Sequence, residues 1–180
     1  MLLKIQGYLL ALTIVLCTSM AWLDYQNSQL IELARQNFSY GDFDLATLQL
    51  NIATSRISID AKSWLLLGRV STSAALFRSE KKYADMAITY LQKAVVLEPN
   101  EAANYLYLGV ALQVKQENQL AREALLNALA RDPYNANYLY NYGLLLERQG
   151  QLKEAALYYQ KSLTVRESMV VKLALERVQK

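Results

Sequence analysis

Apolar and polar positions divide the chain into one long apolar stretch and a series of amphipathic segments. Ile5–Leu23 contains 19 consecutive residues without a charged side chain. As a helix, that length spans about 28 Å, which is close to the thickness of a membrane hydrocarbon core. Beyond it, apolar residues such as Leu108 and Leu112 recur at helical spacing. The pattern predicts an all-α chain with a transmembrane anchor over residues 1–24 and a helical domain over residues 27–180.

Two interpretations of the apolar stretch remain open, and a third is disfavoured. A retained single-pass anchor has its N-terminus in the cytoplasm, because Lys4 precedes the stretch and positive charges stay inside. A cleaved signal peptide is the alternative, because Ser19–Ala21 supplies small residues for a peptidase. A lipoprotein signal is disfavoured, since Leu16 fills the position before Cys17 where a small residue is needed. The retained anchor predicts a bacterial inner-membrane protein with a periplasmic helical domain.

The helical domain repeats itself with a 34-residue period. Ala87, Ala121 and Ala155 recur at this spacing, and Gly109 and Gly143 do the same. A leucine or an aromatic residue occupies the fourth position after each alanine, and a small residue occupies the seventh. Self-similarity at a fixed period of this length is the signature of stacked supersecondary units.

A second apparent repeat has a different period. The sequence NYLY occurs at residues 104–107 and again at residues 137–140, which is a 33-residue spacing. The two copies therefore lie in different registers. Tyr105 is expected in the large core position held elsewhere by Trp64 and Leu139, Tyr138 toward the preceding helix, and Tyr140 on an open face.

These alanines and glycines, with Pro99 and Pro133 after the second helices of two units, resemble the tetratricopeptide repeat. That resemblance implies a right-handed superhelix of about four helix pairs closed by a capping helix. The predicted units cover residues 27–60, 61–101, 102–135 and 136–169. Residues 169–179 are the predicted cap, and four of its side chains are expected to face the stack: Val170, Leu173, Ala174 and Val178.

The second unit is longer than the others by seven residues. Ala87 comes twenty positions after Leu67, whereas Ala121 comes thirteen positions after Leu108. Seven residues equal about two helical turns, so one extra turn on each helix keeps the apolar faces aligned. The sequence favours this extension, with the turn near residues 79–82. The alternative is a protruding corner that docks a partner.

The resemblance also implies a concave surface, lined by first helices, that holds peptide segments. In the 34-residue register the candidate residues are Arg35, Phe38, Leu65, Arg69, Leu106, Tyr107, Val110, Asn137, Tyr140, Asn141 and Leu144. The alternative is that these are ordinary packing residues of a short superhelix. A clamp for the carboxylate terminus of a chaperone is disfavoured, because the stretch presents Leu106, Val110 and Tyr140 where the family uses cations.

Composition removes most chemistry. Histidine is absent, Cys17 has no partner for a disulfide, and the net charge of +3 is not concentrated in a basic stripe. The sequence therefore predicts no enzyme activity, no cofactor, no metal site, no small-molecule substrate and no nucleic-acid partner. Together with the predicted anchor, the resemblance to the tetratricopeptide repeat implies a membrane-anchored scaffold that binds other proteins during assembly of an envelope complex, of the pilus, secretion, polysaccharide or cytochrome-biogenesis type.

Two alternatives to that scaffold remain. One is a small accessory subunit of a large membrane complex, in which Gln6, Thr13 and Thr18 face neighbouring transmembrane helices. The other is a receptor on an organelle surface, with the opposite topology and a cytosolic repeat domain.

Overall fold

The computed structural model describes the backbone of residues 2–56 and 61–180, and the side chains of residues 12–55 and 61–180. Within those ranges the chain is all-α and contains no strand. The helices are α1 (Leu2–Ser39), α2 (Phe43–Arg56), α3 (Ala61–Arg78), α4 (Lys81–Leu97), α5 (Ala102–Val114), α6 (Asn118–Arg131), α7 (Ala136–Arg148), α8 (Leu152–Val165) and α9 (Met169–Gln179). They form two compact units, residues 1–58 and residues 59–180.

The first unit is a helix pair made of a long helix, α1, and a shorter one, α2. α2 packs on the C-terminal part of α1, where Ala34, Ala46 and Leu50 are fully buried. Asp42 begins α2 by accepting a hydrogen bond at Oδ1 from the Leu45 amide, at 3.1 Å. Every described side chain from residue 12 to residue 25 is exposed.

The predicted anchor lies in α1. The side chains of residues 1–11 lie outside the described residues, so the structure does not test the predicted anchor in that part of the helix. Among the described residues, no helix is both long enough and apolar enough to cross a membrane.

The second unit consists of three helix pairs followed by one helix. α3 packs on α4, α5 on α6 and α7 on α8, while α9 packs on α8. The predicted 34-residue register is confirmed at the closest approach within each pair. A Cβ built on Gly109 would lie 2.7 Å from Cγ of Leu125, and one on Gly143 would lie 2.6 Å from Cε1 of Tyr159. Only glycine leaves room there, so these positions set the distance between the paired helices.

Buried polar side chains connect successive helices. Asn104 is 1% exposed, and its Nδ2 donates to the carbonyl oxygens of Ala94 and Glu98 at the end of α4. Ser162 is equally buried and donates to the Ala136 carbonyl oxygen at 2.8 Å. These bonds satisfy the two buried polar side chains and join each of them to the backbone of the preceding helix.

The extra residues of the second unit lengthen its helices. α3 has 18 residues and α4 has 17, against 13 in α5 and 14 in α6. The turn lies at Ser79 and Glu80, within the range predicted for it. The helix extension is therefore confirmed, and it moves this turn beyond the neighbouring one.

The bounds of α9 agree with the predicted cap, but two of the four side chains predicted on its inner face lie outside that face. Val171, Ala174 and Val178 are buried, whereas Val170 is 60% exposed and Leu173 is 55% exposed. α9 is apolar around most of its circumference, so helical spacing alone fits either register. Docking on α8 selects the face that carries Val171.

Candidate partner-binding face

Five of the predicted residues lie on α5 and α7, two helices that pack against each other. Each of the five is half-buried, with one side on the core and the other open to solvent. They are Tyr107, Val110, Tyr140, Asn141 and Leu144. Together with Arg69 of α3 they are called the first-helix face below. The surface exists because α3 packs against α5, and α5 against α7.

Arg69 and Tyr107 tie the first two helices of this face together. The Arg69 guanidinium lies over the Tyr107 ring, with its Cζ 4.8 Å from the ring centroid. A cation over an aromatic ring is attracted by the electron-rich ring face. The pair therefore presents a positive charge and a large flat ring at one place, without a carboxylate bound to it among the described residues.

Tyr140 stands at the other end of the face, above the aromatic core of the last pair. Its ring centroid lies 5.8 Å from that of Tyr159, which is fully buried. Asn141 is fixed by a hydrogen bond from its Nδ2 to the Asn137 carbonyl oxygen, at 2.7 Å. Its Oδ1 remains available to accept a hydrogen bond from a peptide backbone.

Asn137 is exposed and bound to a residue that sequence reasoning missed. Nη2 of Arg166 donates to Oδ1 of Asn137 at 2.7 Å. Both residues line a cavity of about 200 Å³, together with Tyr140 and Ser168. Arg166 follows α8 in a segment without periodicity, and the 34-residue register gave no signal for it.

Three predicted candidates do not belong to this face. Leu106 is only 6% exposed and lies in the core, so its prediction as a surface residue was wrong. Tyr105 holds the half-buried position beside it, since Arg131 stacks on its ring at 3.9 Å and bonds its hydroxyl. Arg35 and Phe38 lie in the first unit, where Arg35 is exposed and Phe38 contacts Phe43.

Leu65 is half-buried and packs against the core from α3. In the second NYLY copy Tyr138 is buried and Tyr140, on a different face of α7, is half-buried. Tyr105 of the first copy was predicted in the core and that prediction was wrong, because it is half-buried under Arg131. Burial raises the pKa of the Tyr138 hydroxyl. The 33-residue likeness is therefore not a structural repeat.

One ion pair holds the last helix against this end of the stack. Nε and Nη2 of Arg177 donate to the two carboxylate oxygens of Glu147, at 2.5 and 2.8 Å. The Tyr159 hydroxyl also donates to Glu147 Oε2, at 2.5 Å. The Arg177 guanidinium and, less strongly, the Tyr159 hydroxyl hold the pKa of Glu147 below its usual range. Burial raises the pKa of Tyr159.

The first-helix face is suited to binding rather than to bond chemistry. It offers aromatic rings, aliphatic side chains, an amide and a cation, which are groups typical of protein interfaces. Among the described residues there is no group of three His, Cys, Asp or Glu side chains that could hold a metal ion.

The comparisons with known proteins agree with this architecture. The tetratricopeptide repeat family matches residues 124–156. MamA, in its crystal structure, has a TM-score of 0.67 and 24% identity, over 81% of each chain. PilF of Pseudomonas aeruginosa has a TM-score of 0.73 and 19% identity, over 87% of this chain and 68% of that one. Residues 124–156 are therefore similar to the tetratricopeptide repeat, and the chain shares its all-α fold with these two solved structures.

Two relatives are similar in sequence over part of the chain. The type IV pilus assembly protein PilF of Pseudomonas aeruginosa is 40% identical over 65 residues, which are 36% of this chain and 26% of PilF. A probable UDP-N-acetylglucosamine–peptide N-acetylglucosaminyltransferase, SPINDLY of Petunia hybrida, is 33% identical over 92 residues. That match covers 51% of this chain and 10% of the plant protein. The chain thus spans a tenth of one relative and a quarter of the other.

Proposed function

We propose that this protein is a membrane-anchored, non-catalytic scaffold that holds a segment of a partner protein on its first-helix face. The partner is captured without covalent chemistry, and the anchor raises its local concentration at the membrane. The domain faces the periplasm of a bacterial inner membrane in this proposal.

The observation that carries the proposal is the half-burial of equivalent positions on successive first helices. Arg69, Val110 and Leu144 each follow a glycine that closes a helix pair, and each of the three is only partly covered. A packing residue would be buried, and a purely solvated surface would be polar. Half-covered apolar side chains at Val110 and Leu144, next to Tyr107 and Tyr140, favour a surface that is completed by a partner.

The anchor rests on different support. Leu12, Ile14, Val15, Leu16 and Met20 are all more than half exposed on α1. The stretch that contains them has no charged residue between Ile5 and Leu23. Such a surface is costly in water and needs a cover, which lipid would supply.

Among envelope assemblies, the sequence similarity to PilF favours an assembly factor of the pilus type. It covers part of a protein that is named for type IV pilus assembly. The SPINDLY match covers a tenth of a transferase and gives no reason to assign that activity here. Secretion, polysaccharide and cytochrome-biogenesis complexes are the other members of this proposed class.

An accessory subunit of a large membrane complex is the second candidate. The exposed apolar side chains of residues 12–25 favour it as much as they favour a lipid anchor. Thr18, however, donates its hydroxyl to the Ile14 and Val15 carbonyl oxygens of its own helix. It therefore needs no neighbouring helix to satisfy its hydroxyl.

The proposal is tested by affinity purification of the full-length protein in mild detergent, followed by identification of what co-purifies. One variant changes Tyr107, Tyr140 and Asn141 to alanine. A matched control changes Tyr40, Tyr134 and Asn100 to alanine, which are the same residue types at exposed positions elsewhere. Circular dichroism checks that both variants stay helical.

We expect a stoichiometric partner that the first variant loses and the control retains. If the partner survives in both variants, it binds elsewhere, and the accessory subunit becomes the better explanation. If no partner co-purifies from the native membrane, the scaffold proposal is wrong.

A further inference from the structure

The four helix pairs turn in the same way but with different residues. In each turn one residue has a positive φ: Gly41 at 82°, Ser79 at 55°, Gln116 at 67° and Gly150 at 75°. Glycine adopts this region readily, whereas residues with a side chain seldom do. Two of the four turns therefore keep a side chain at a position where glycine would be less strained.

Both strained residues line the same cavity. It measures about 660 Å³ and lies where the extended corner of α3 and α4 overhangs the shorter turn between α5 and α6. Backbone strain that persists next to a cavity is typical of a functional site, because the strained conformation aims a side chain. Here Ser79 contributes a hydroxyl and Gln116 an amide.

The cavity also contains positive charges that the protein does not neutralise. Lys81 lines it and has no ion-pair partner among the described residues. Arg148 lines it from α7. Among the described residues its guanidinium donates only to the neutral Oε1 of Gln113, from Nη1 at 3.3 Å, and its charge also helps to lower the pKa of the adjacent Glu147. The neighbouring carboxylate of Glu147 is already bound by Arg177 and Tyr159.

The other charged groups around the cavity form ion pairs with one another, and one lysine is shared by two carboxylates. Lys115 lies 2.9 Å from Asp85 and 2.8 Å from Glu117, and these carboxylates raise its pKa. Glu80 accepts from Lys82 at 2.8 Å. Lys115, Asp85 and Glu117 together carry one net negative charge, so with Lys81 and Arg148 the surplus at the cavity is one positive charge.

An apolar surface lies between these polar groups. Leu76 is 56% exposed at the corner, and Ala75, Ala84 and Val114 continue the lining. We propose that this corner cavity docks a segment of a partner protein in which two carboxylates flank one apolar side chain. The carboxylates meet Lys81 and Arg148, the apolar group lies on Leu76 and Val114, and Ser79 and Gln116 bond the backbone.

This site shares no residue with the first-helix face, so each can fail alone. The test uses the full-length protein, labelled with ¹⁵N, in detergent. The probe is a short peptide with two glutamates flanking a leucine, and the reference peptide has glutamines instead. We expect the acidic peptide to shift the amide signals of residues around 79, 81, 116 and 148, and the reference peptide to bind more weakly.

Two double variants locate the charge effect. Lys81→Gln with Arg148→Gln should weaken binding of the acidic peptide by about tenfold, because two charge-assisted hydrogen bonds are lost. The matched control, Lys93→Gln with Lys153→Gln, removes the same charge from exposed positions on second helices and should leave binding within about twofold. Equal losses in the two variants would show non-specific attraction and overturn the proposal.

A third variant separates binding from folding. Ser79→Gly with Gln116→Gly relieves the backbone, so Tm should rise by about 2–4 °C, while binding weakens. Unchanged affinity would contradict the proposed role of these two residues. No saturable shift with the acidic peptide would overturn the site. So would sedimentation with phosphatidylserine vesicles that depends on Lys81 and Arg148, because the cavity would then bind lipid headgroups.

Discussion

Adjacent residues on the same helix belong to two surfaces that differ in which side chains they accept. The closed surface is the packed contact within a helix pair, and the open surface is the first-helix face. Gly109 faces its own partner helix, where Leu125 leaves no room for a Cβ, while Val110, the next residue, lies half-exposed on the first-helix face. The same step separates Gly143 from Leu144. The closed surface accepts one residue type because packing fixes it, whereas the open surface carries arginine, valine or leucine. Selectivity for a partner therefore belongs to the open surface.

The largest effect should come from the closed surface. Leu125→Ala removes a fully buried side chain and should lower the free energy of unfolding by about 3 kcal/mol, through lost burial and a cavity. The neighbouring Leu126 is 43% exposed, so Leu126→Ala should cost no more than about 0.5 kcal/mol. Urea denaturation of both variants measures the contrast, and similar losses would contradict the register.

Gly109→Ala should have the next largest effect and lower the free energy of unfolding by about 2 kcal/mol. The added methyl group would meet Leu125 and the Ala121 carbonyl oxygen, which is 3.3 Å away. In the Leu125→Ala background the methyl gains space, so the penalty should shrink. A double-mutant cycle measures this coupling. Additive losses would mean that the two residues do not share one contact.

The periodicity of the sequence was enough to predict this closed surface. Alanines and glycines recur with the 34-residue period because each helix pair needs a small residue where its two helices approach most closely. The register and the bounds of the capping helix could therefore be predicted. The buried face of α9 could not be predicted, because Val170 and Val171 fit helical spacing equally well. The surface position predicted for Leu106 was also wrong. Leu106 lies in the core, and the neighbouring Tyr105 is half-buried under Arg131. Arg166 and the corner cavity depend on turns, where no period applies.

The corrected register of α9 gives a third test. Val171→Ala should cost about 1.5 kcal/mol, since it deletes two buried methyl-sized groups. Val170→Ala makes the same chemical change at an exposed position and should have little effect. Thermal unfolding of the two variants tests which face of α9 docks on α8. A larger loss of stability from Val170→Ala than from Val171→Ala would support the register expected from the sequence.

A smaller and pH-dependent effect is expected at the end of the stack. The pKa of Glu147 is lowered in the folded protein, so its contribution is present above the unfolded pKa of about 4.3 and is lost as the pH falls through the folded value. Glu147→Gln should therefore destabilise by about 1 kcal/mol at pH 7, and the gap to the wild type should close at acidic pH. Glu176→Gln, an exposed change on α9, is the control. A gap that stays constant with pH would exclude the ion pair as its cause.

The open surface is tested most directly by photo-crosslinking in native membranes. A benzophenone amino acid replaces Tyr140 on the first-helix face in one strain, and the exposed Tyr134 in another. If a partner binds on the first-helix face, we expect an adduct with one partner protein from position 140 and none from position 134. An adduct from position 134 alone would contradict it, because the partner would then bind outside the first-helix face.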